Sequence, residues 1–183
     1  MELVEKVLTD AFVIKPRVFK DERGYFYESF NEKVFESLTG IQANFIQDNQ
    51  SYSSKGTLRG LHFQKGDAAQ AKLVRVTSGS VYDVAVDLRP NSPTFKQWHG
   101  VELTEENHLQ FFIPRGFAHA FVALEDDTIL QYKVDNYYLG VNDGGVIWND
   151  TDLNIEWPNL TLKLSDKDNH LPKLNQLNLK ILW

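Results

Sequence analysis

The stretch Val81-Tyr82-Asp83-Val84-Ala85-Val86-Asp87-Leu88 alternates at every step. Tyr82, Val84, Val86 and Leu88 share one face; Val81, Asp83, Ala85 and Asp87 share the other. A period of two is that of a β-strand, because successive side chains leave the pleat on opposite sides. The first face is wholly apolar. The second carries two carboxylates, which places it either in solvent or around a polar pocket inside a barrel. Similar runs rich in Val, Ile, Phe and Tyr occupy residues 11–18, 72–76, 109–113, 117–124 and 128–134. Turn signals recur between them, among them Asp21-Glu22-Arg23-Gly24, Gly66-Asp67, Ser78-Gly79, Arg89-Pro90-Asn91-Ser92-Pro93 and Pro114-Arg115-Gly116. Short strands at regular spacing predict an all-β sandwich or barrel. Helix is sparse. Asn31 is a good N-cap for a run that stops near Gly40, and Ser165-Asp166-Lys167-Asp168 has the form of a capping box. A long β-rich middle with a few short helices favours a jelly roll.

The chain has 183 residues, of which 42% are hydrophobic, enough for one domain spanning 1–183 with its own core. The formal net charge of -6 argues against a nucleic-acid or membrane-surface binder, although a few local arginines can still hold one anionic ligand. With no cysteine, disulfides, thiolate chemistry and Cys-ligated metals are excluded. The N-terminus has no apolar signal region and no run reaches membrane-spanning length, so a soluble, cytoplasmic protein is expected.

Candidate chemistry gathers in Thr57-Leu58-Arg59-Gly60-Leu61-His62-Phe63-Gln64. Strict alternation would put Arg59 and His62 on opposite faces. A bulge at Gly60 would re-aim them to hold an anion beside a proton acceptor. Pro114-Arg115-Gly116-Phe117-Ala118-His119 is a tight turn entering a strand with an inward histidine, like the second motif of the cupin superfamily. The first cupin motif is incomplete at His62-Phe63-Gln64, so two histidines alone make a poor metal site and no metal is expected. Each further candidate has an ordinary alternative. Lys72 reads equally as a solvated lysine, Tyr132 as a core aromatic with a wet hydroxyl, and Asp168 as the partner of Ser165 in a cap. The scattered Arg17, Arg23, Arg59, Arg75 and Arg115 read as surface ion pairs or as phosphate forks. Residue types alone support a polar pocket in a β-barrel.

Longer matches go further. Asp21-Glu22-Arg23-Gly24-Tyr25-Phe26, Gln47-Asp48-Asn49, the 58–64 run, Lys72-Leu73-Val74-Arg75-Val76, the 81–89 run, Phe112-Ile113-Pro114-Arg115-Gly116-Phe117-Ala118-His119, Trp148-Asn149-Asp150 and Leu164-Ser165-Asp166-Lys167-Asp168 occur in order. Together they resemble the dTDP-4-dehydrorhamnose 3,5-epimerases along nearly the full chain. The resemblance implies a cupin-type double-stranded β-helix without metal or other cofactor, and a homodimer whose N-terminal strands cross between subunits. It implies His62 as general base with Asp168 as its carboxylate partner, Tyr132 as general acid and Lys72 beside the ketone oxygen. Arg23, Glu28, Gln47, Asn49, Arg59, Lys72, His119, Asp143 and Lys167 fall where the family contacts a dTDP-sugar. Asp83 corresponds to a partner of His119, Phe19 and Phe26 to pocket walls, and Tyr138 to a position where some relatives carry Trp.

The implied reaction is cofactor-independent epimerisation of dTDP-4-dehydro-6-deoxy-D-glucose at C3 and C5 to dTDP-4-dehydro-L-rhamnose. The C4 carbonyl acidifies both flanking protons, a cation steadies the enolate, and re-protonation from the opposite face inverts each centre. Tyrosine serves as that acid if the site lowers its pKa. Rival readings are a single-centre epimerase, a keto-isomerase, a metal-dependent cupin and a non-catalytic sugar-nucleotide binding module. The chain departs from the family at Tyr137-Tyr138-Leu139-Gly140-Val141-Asn142-Asp143-Gly144-Gly145. There Asp143 is one methylene shorter than the expected Glu, and the glycine pair is expected to make the loop more flexible.

Overall fold

The computed structural model describes residues 1–179. In chain order the strands are β1 (Glu2–Leu8), β2 (Ala11–Lys15), β3 (Phe19–Asp21), β4 (Gly24–Phe26), β5 (Gln47–Ser53), β6 (Leu58–Gln64) and β7 (Lys72–Ser78). They continue with β8 (Ser80–Asp87), β9 (Trp98–Thr104), β10 (Gln110–Ile113), β11 (Phe117–Ala123), β12 (Thr128–Val134) and β13 (Asp143–Gly145). Two short α-helices, α1 (Glu32–Thr39) and α2 (Asp166–Asn169), flank the β-rich middle. A six-stranded sheet, β1-β2-β10-β7-β12-β5, faces a five-stranded sheet, β13-β6-β11-β8-β9. The strand pairs within both sheets are antiparallel. This is the jelly roll that the sequence predicts.

Strand β8 explains how the layers close. Its Val81 and Ala85 join Val13, Val74, Val76, Phe111, Phe121 and Leu130 in the core between the sheets. Its Val84 and Val86 pack on the other side, against Val146, Leu153 and Leu174 of the C-terminal segment. The sheet is therefore covered on both faces, and the two carboxylates of β8 turn inward rather than to solvent. Asp83 and Asp87 are both fully buried. Asp87 accepts from Arg89, Ser92 and Thr94, so its charge is satisfied at one end of the sandwich. Asp83 is bonded to His119.

The outer face of the six-stranded sheet is covered by α1. Asn31 caps this helix by accepting from Val34 N, and Gly40 ends it in the left-handed region at φ 72°. Phe35 from the helix packs on Phe12, Ile14, Leu73 and Phe112. Burying such a phenylalanine contributes roughly 1.5–3 kcal/mol. The second helical signal forms as well. Ser165 Oγ accepts from Asp168 N at the start of α2. No helix among the described residues is long and apolar enough to cross a membrane.

Candidate active site

Arg59 and His62 share one wall of the sandwich interior because β6 is bulged. His62 pairs with His119, and Arg59 with Phe121. Two steps along β11 thus match three along β6, and the extra residue falls at Gly60-Leu61. Gly60 sits at φ +122°, and a Cβ there would lie 2.5 Å from both Ala120 Cβ and His119 O. Only glycine fits this approach, so the bulge that re-aims Arg59 is written into the sequence.

The open end of the sandwich holds a cavity of about 370 Å³. His62, Arg59 and His119 line it from the five-stranded sheet; Lys72 and Tyr132 line it from the six-stranded sheet; Tyr138, Asp143, Lys167 and Asp168 close its mouth. His62 Nε2 lies 2.5 Å from Asp168 Oδ1. If Nε2 carries the proton to the carboxylate, Nδ1 keeps its lone pair. Asp168 is buried, and burial alone would raise its pKa. The His62 imidazole, the Ser165 hydroxyl and the Lys167 ammonium together outweigh this and hold the carboxyl below its usual range. The ordinary reading of Asp168 as a capping residue and the functional one are both realised. Its N–H donates to Ser165 Oγ while one carboxylate oxygen receives the Ser165 hydroxyl and the other meets His62.

A second pair lies deeper. His119 Nε2 sits 2.9 Å from Asp83 Oδ2. Burial pushes the His119 imidazole down against the pull of Asp83, and Lys72 and His62 push the same way, so the ring is neutral at pH 7. Lys72 is lowered to about 8, chiefly by burial, with Asp83 and Asp143 pulling it back up. It remains mostly an ammonium at neutral pH, with Nζ 5.8 Å from the centre of the Tyr132 ring. For Tyr132 the site does not lower the pKa. Burial raises it, and the opposing effect of Arg59 is smaller, so the phenol is held protonated in the ligand-free chain.

The segment after β12 is ordered by pairing, not loosened by glycine. Asp143, Gly144 and Gly145 form β13 against Gln64, Phe63 and His62. A Cβ on Gly145 would come 2.5 Å from Leu61 O, so this glycine serves close backbone approach. The expectation of a flexible loop is corrected accordingly. Asp143 receives the Lys167 ammonium on one oxygen and Gln64 Nε2 on the other at 3.4 Å. Gln64 Oε1 accepts from Leu139 N at 2.9 Å. Gln64 thus ties the 137–145 segment to the strand of His62. It was not among the sequence-derived site residues, although its position two residues from His62 on the same strand was the available signal.

The site can be set beside known proteins. A family profile described as dTDP-4-dehydrorhamnose 3,5-epimerase matches residues 5–176. The chain belongs to this family. A dTDP-4-dehydrorhamnose 3,5-epimerase of Escherichia coli (strain K12) is 51% identical over 178 residues, covering 97% of this chain and 96% of that protein. The crystal structure of the Elizabethkingia anophelis NUHP1 epimerase matches with a TM-score of 0.92 at 54% identity, over 97% of this chain and 98% of that one. An epimerase of Legionella pneumophila Philadelphia 1, solved in complex with dTDP-4-keto-L-rhamnose, matches with a TM-score of 0.95 at 44% identity, over 99% and 96%.

The remaining residues drawn from the epimerase resemblance are placed less centrally. Gln47 and Asn49 stand on the edge strand β5, where Gln47 Nε2 donates to Asn49 Oδ1 at 2.9 Å and Asn49 pairs with Tyr132. Asn49 lines a second cavity, of about 400 Å³, with Arg75, Gln131 and Lys133. Phe19, Arg23, Phe26 and Glu28 are absent from the lining of the first cavity. The β3–β4 hairpin pairs only with itself, and its Phe26 is 66% exposed. Arg23 bonds to Asp21 within the turn, and Glu28 receives Asn31 Nδ2. The chain does not bring these four residues to its own cavity, because the hairpin is held on the body from outside by Tyr25 and Tyr27 against His108. Among the described residues no three His, Asp or Glu side chains converge as a metal site.

Proposed function

We propose that the protein epimerises dTDP-4-dehydro-6-deoxy-D-glucose at C3 and C5 to dTDP-4-dehydro-L-rhamnose. The observation that carries this reading is an imidazole and a phenol reaching one cavity from opposing sheets, with the Lys72 ammonium lining the same cavity. His62 Nδ1 takes a proton from the carbon beside the ketone, and the C–H electron pair moves into an enolate. Asp168 fixes the ring tautomer and stabilises the imidazolium that forms. Lys72 meets the charge developing on O4. Tyr132 delivers a proton to the opposite face and inverts the centre. The phenol is protonated before the reaction, and an enolate is more basic than a phenolate, so the transfer is favourable without a lowered pKa. The chemistry needs only these proton transfers.

Arg59 and Lys167 suit the diphosphate, and Tyr138 at the mouth suits the thymine face. We further propose a homodimer in which the partner's exposed hairpin brings its own Phe19, Arg23 and Phe26 to this cavity. Their exposure and their absence from the lining of the chain's own cavity support that arrangement. The test of the reaction is conversion of dTDP-4-dehydro-6-deoxy-D-glucose followed by proton NMR. Coupling constants of a sugar inverted at both centres support the reading. Inversion at one centre, a moved ketone or unchanged substrate contradicts it.

A further inference from the structure

The β3–β4 hairpin presents two faces. Phe19 pairs with Phe26 and Lys20 with Tyr25 across its ladder. Directly paired residues share a face and neighbours alternate, so Phe19 and Phe26 lie on one face and Lys20 and Tyr25 on the other. The first face is open, with Phe19 51% and Phe26 66% exposed. The second rests on the body through His108. The centre of the His108 ring lies 4.9 Å from that of Tyr25 and 5.2 Å from that of Tyr27, and the two tyrosines stack on each other at 5.8 Å. A two-stranded hairpin that pairs only with itself is marginal in water, so its direction depends on such contacts.

His108 is itself held in place. It sits at φ 55°, a left-handed conformation uncommon outside glycine. The turn before it is fastened by Asn107, whose Oδ1 accepts from both Thr104 N and Leu109 N. Burial, with Lys20 and Lys15 nearby, lowers the His108 pKa, so the ring is a neutral aromatic at pH 7. Two residues on, Gln110 Nε2 donates to Ser29 O at 2.8 Å and fixes where the chain returns from the hairpin. Neither His108 nor Tyr25 nor Tyr27 lines the cavity of His62. We infer that His108 is a positioning residue that acts across the dimer: by clamping the tyrosine face of its own hairpin, it aims Phe19, Arg23 and Phe26 at the substrate cavity of the partner subunit. This rests on the homodimer proposed above. Phe19, Arg23 and Phe26 move no proton in that mechanism, so a misaimed hairpin weakens substrate binding and spares turnover.

The test compares steady-state kinetics on dTDP-4-dehydro-6-deoxy-D-glucose. His108→Ala should raise KM about tenfold and leave kcat within about twofold, since two aromatic contacts are lost away from the proton-transfer groups. His108→Phe, which keeps a ring, should restore KM. Among the described core residues none falls between 19 and 27, so the alanine variant should keep nearly the wild-type melting temperature. The decisive sample is a mixed dimer, one subunit carrying His108→Ala and the other His62→Asn, co-expressed with different tags and purified through both. Its active cavity lies in the His108→Ala subunit and is served by the intact hairpin of the other. A wild-type KM in this dimer supports the inference. A KM as high as that of the His108→Ala homodimer overturns it, because His108 then acts on its own subunit's cavity. An unchanged KM in the His108→Ala homodimer also overturns it. So does a loss of kcat with a lowered melting temperature that phenylalanine does not repair, which marks a purely structural role. Wild-type protein that sediments as a monomer refutes the dimer reading and this inference with it. A wild-type dimer that leaves the sugar nucleotide unconverted refutes the functional reading on which both rest.

Discussion

Two histidines line one cavity from neighbouring strands, each bonded to an aspartate, and the pairs differ in depth. In the outer pair the His62 side chain is 31% exposed over a nearly buried Asp168. In the inner pair the His119 side chain is 7% exposed and Asp83 is sealed. The same two residue types are thereby given different work. The outer ring is open to the cavity, and its carboxylate is already held ionised. The inner ring is kept neutral by burial, and its carboxylate supports the Lys72 ammonium. Desolvation, more than residue identity, separates a proton shuttle from a fixed hydrogen-bonding group.

The largest effect that tests this contrast is at the two histidines. His62→Asn should lower turnover by roughly 10³-fold, within the range for loss of a general base, while His119→Asn should act mainly on KM. Equal losses in kcat would erase the distinction. Next come the carboxylates. Asp168→Asn should lower kcat by about 10²-fold, the low end of what general acid–base catalysis contributes. Asp83→Asn should leave more of kcat at pH 7 and move the alkaline limb of the pH–rate profile downward.

We assign that limb to Lys72. With its pKa at about 8, the ammonium is lost as pH rises through that value, so kcat/KM of the wild type should fall there. Lys72→Met should abolish the limb along with most activity. It should also raise the melting temperature, because a charge buried at some cost is removed. The smallest effect concerns the inner ring. His119 has a folded pKa below its unfolded value, so the stability it contributes is present above about pH 6.5 and is lost as pH falls below it. His119→Gln should flatten the decline in melting temperature between pH 7.5 and 5.5. An unchanged slope would show that the inner ring is not held neutral.

The sequence revealed the interior strands because both of their faces are apolar or alternate cleanly, as in 81–88 and 128–134. It gave no strand signal for β5, Gln-Asp-Asn-Gln-Ser-Tyr-Ser, or for β1, Glu-Leu-Val-Glu-Lys-Val-Leu. Both are edge strands with one side in water, so their polar residues read as loop. The Gly60 bulge was legible because only glycine explains a polar pair three residues apart on one face. The inward turn of Asp83 was not, since alternation fixes which residues share a face and leaves open which way that face points. Tyr132 was placed correctly in the strand order, but the sign of its pKa shift depends on burial that the sequence does not display. Gln64 stood in the polar run around His62, but its tie to the 137–145 segment was hidden because it arises from bonds made across the cavity.

The central claim is that His62 and Tyr132 act on opposite faces of one hexose. Its most direct test is NMR of dTDP-4-dehydro-6-deoxy-D-glucose incubated in D2O with Tyr132→Phe and with His62→Asn. The account predicts deuterium entering at C3 and C5 with retained configuration in the first, and no exchange in the second. Full inversion by Tyr132→Phe, or exchange at wild-type rate by His62→Asn, would contradict it.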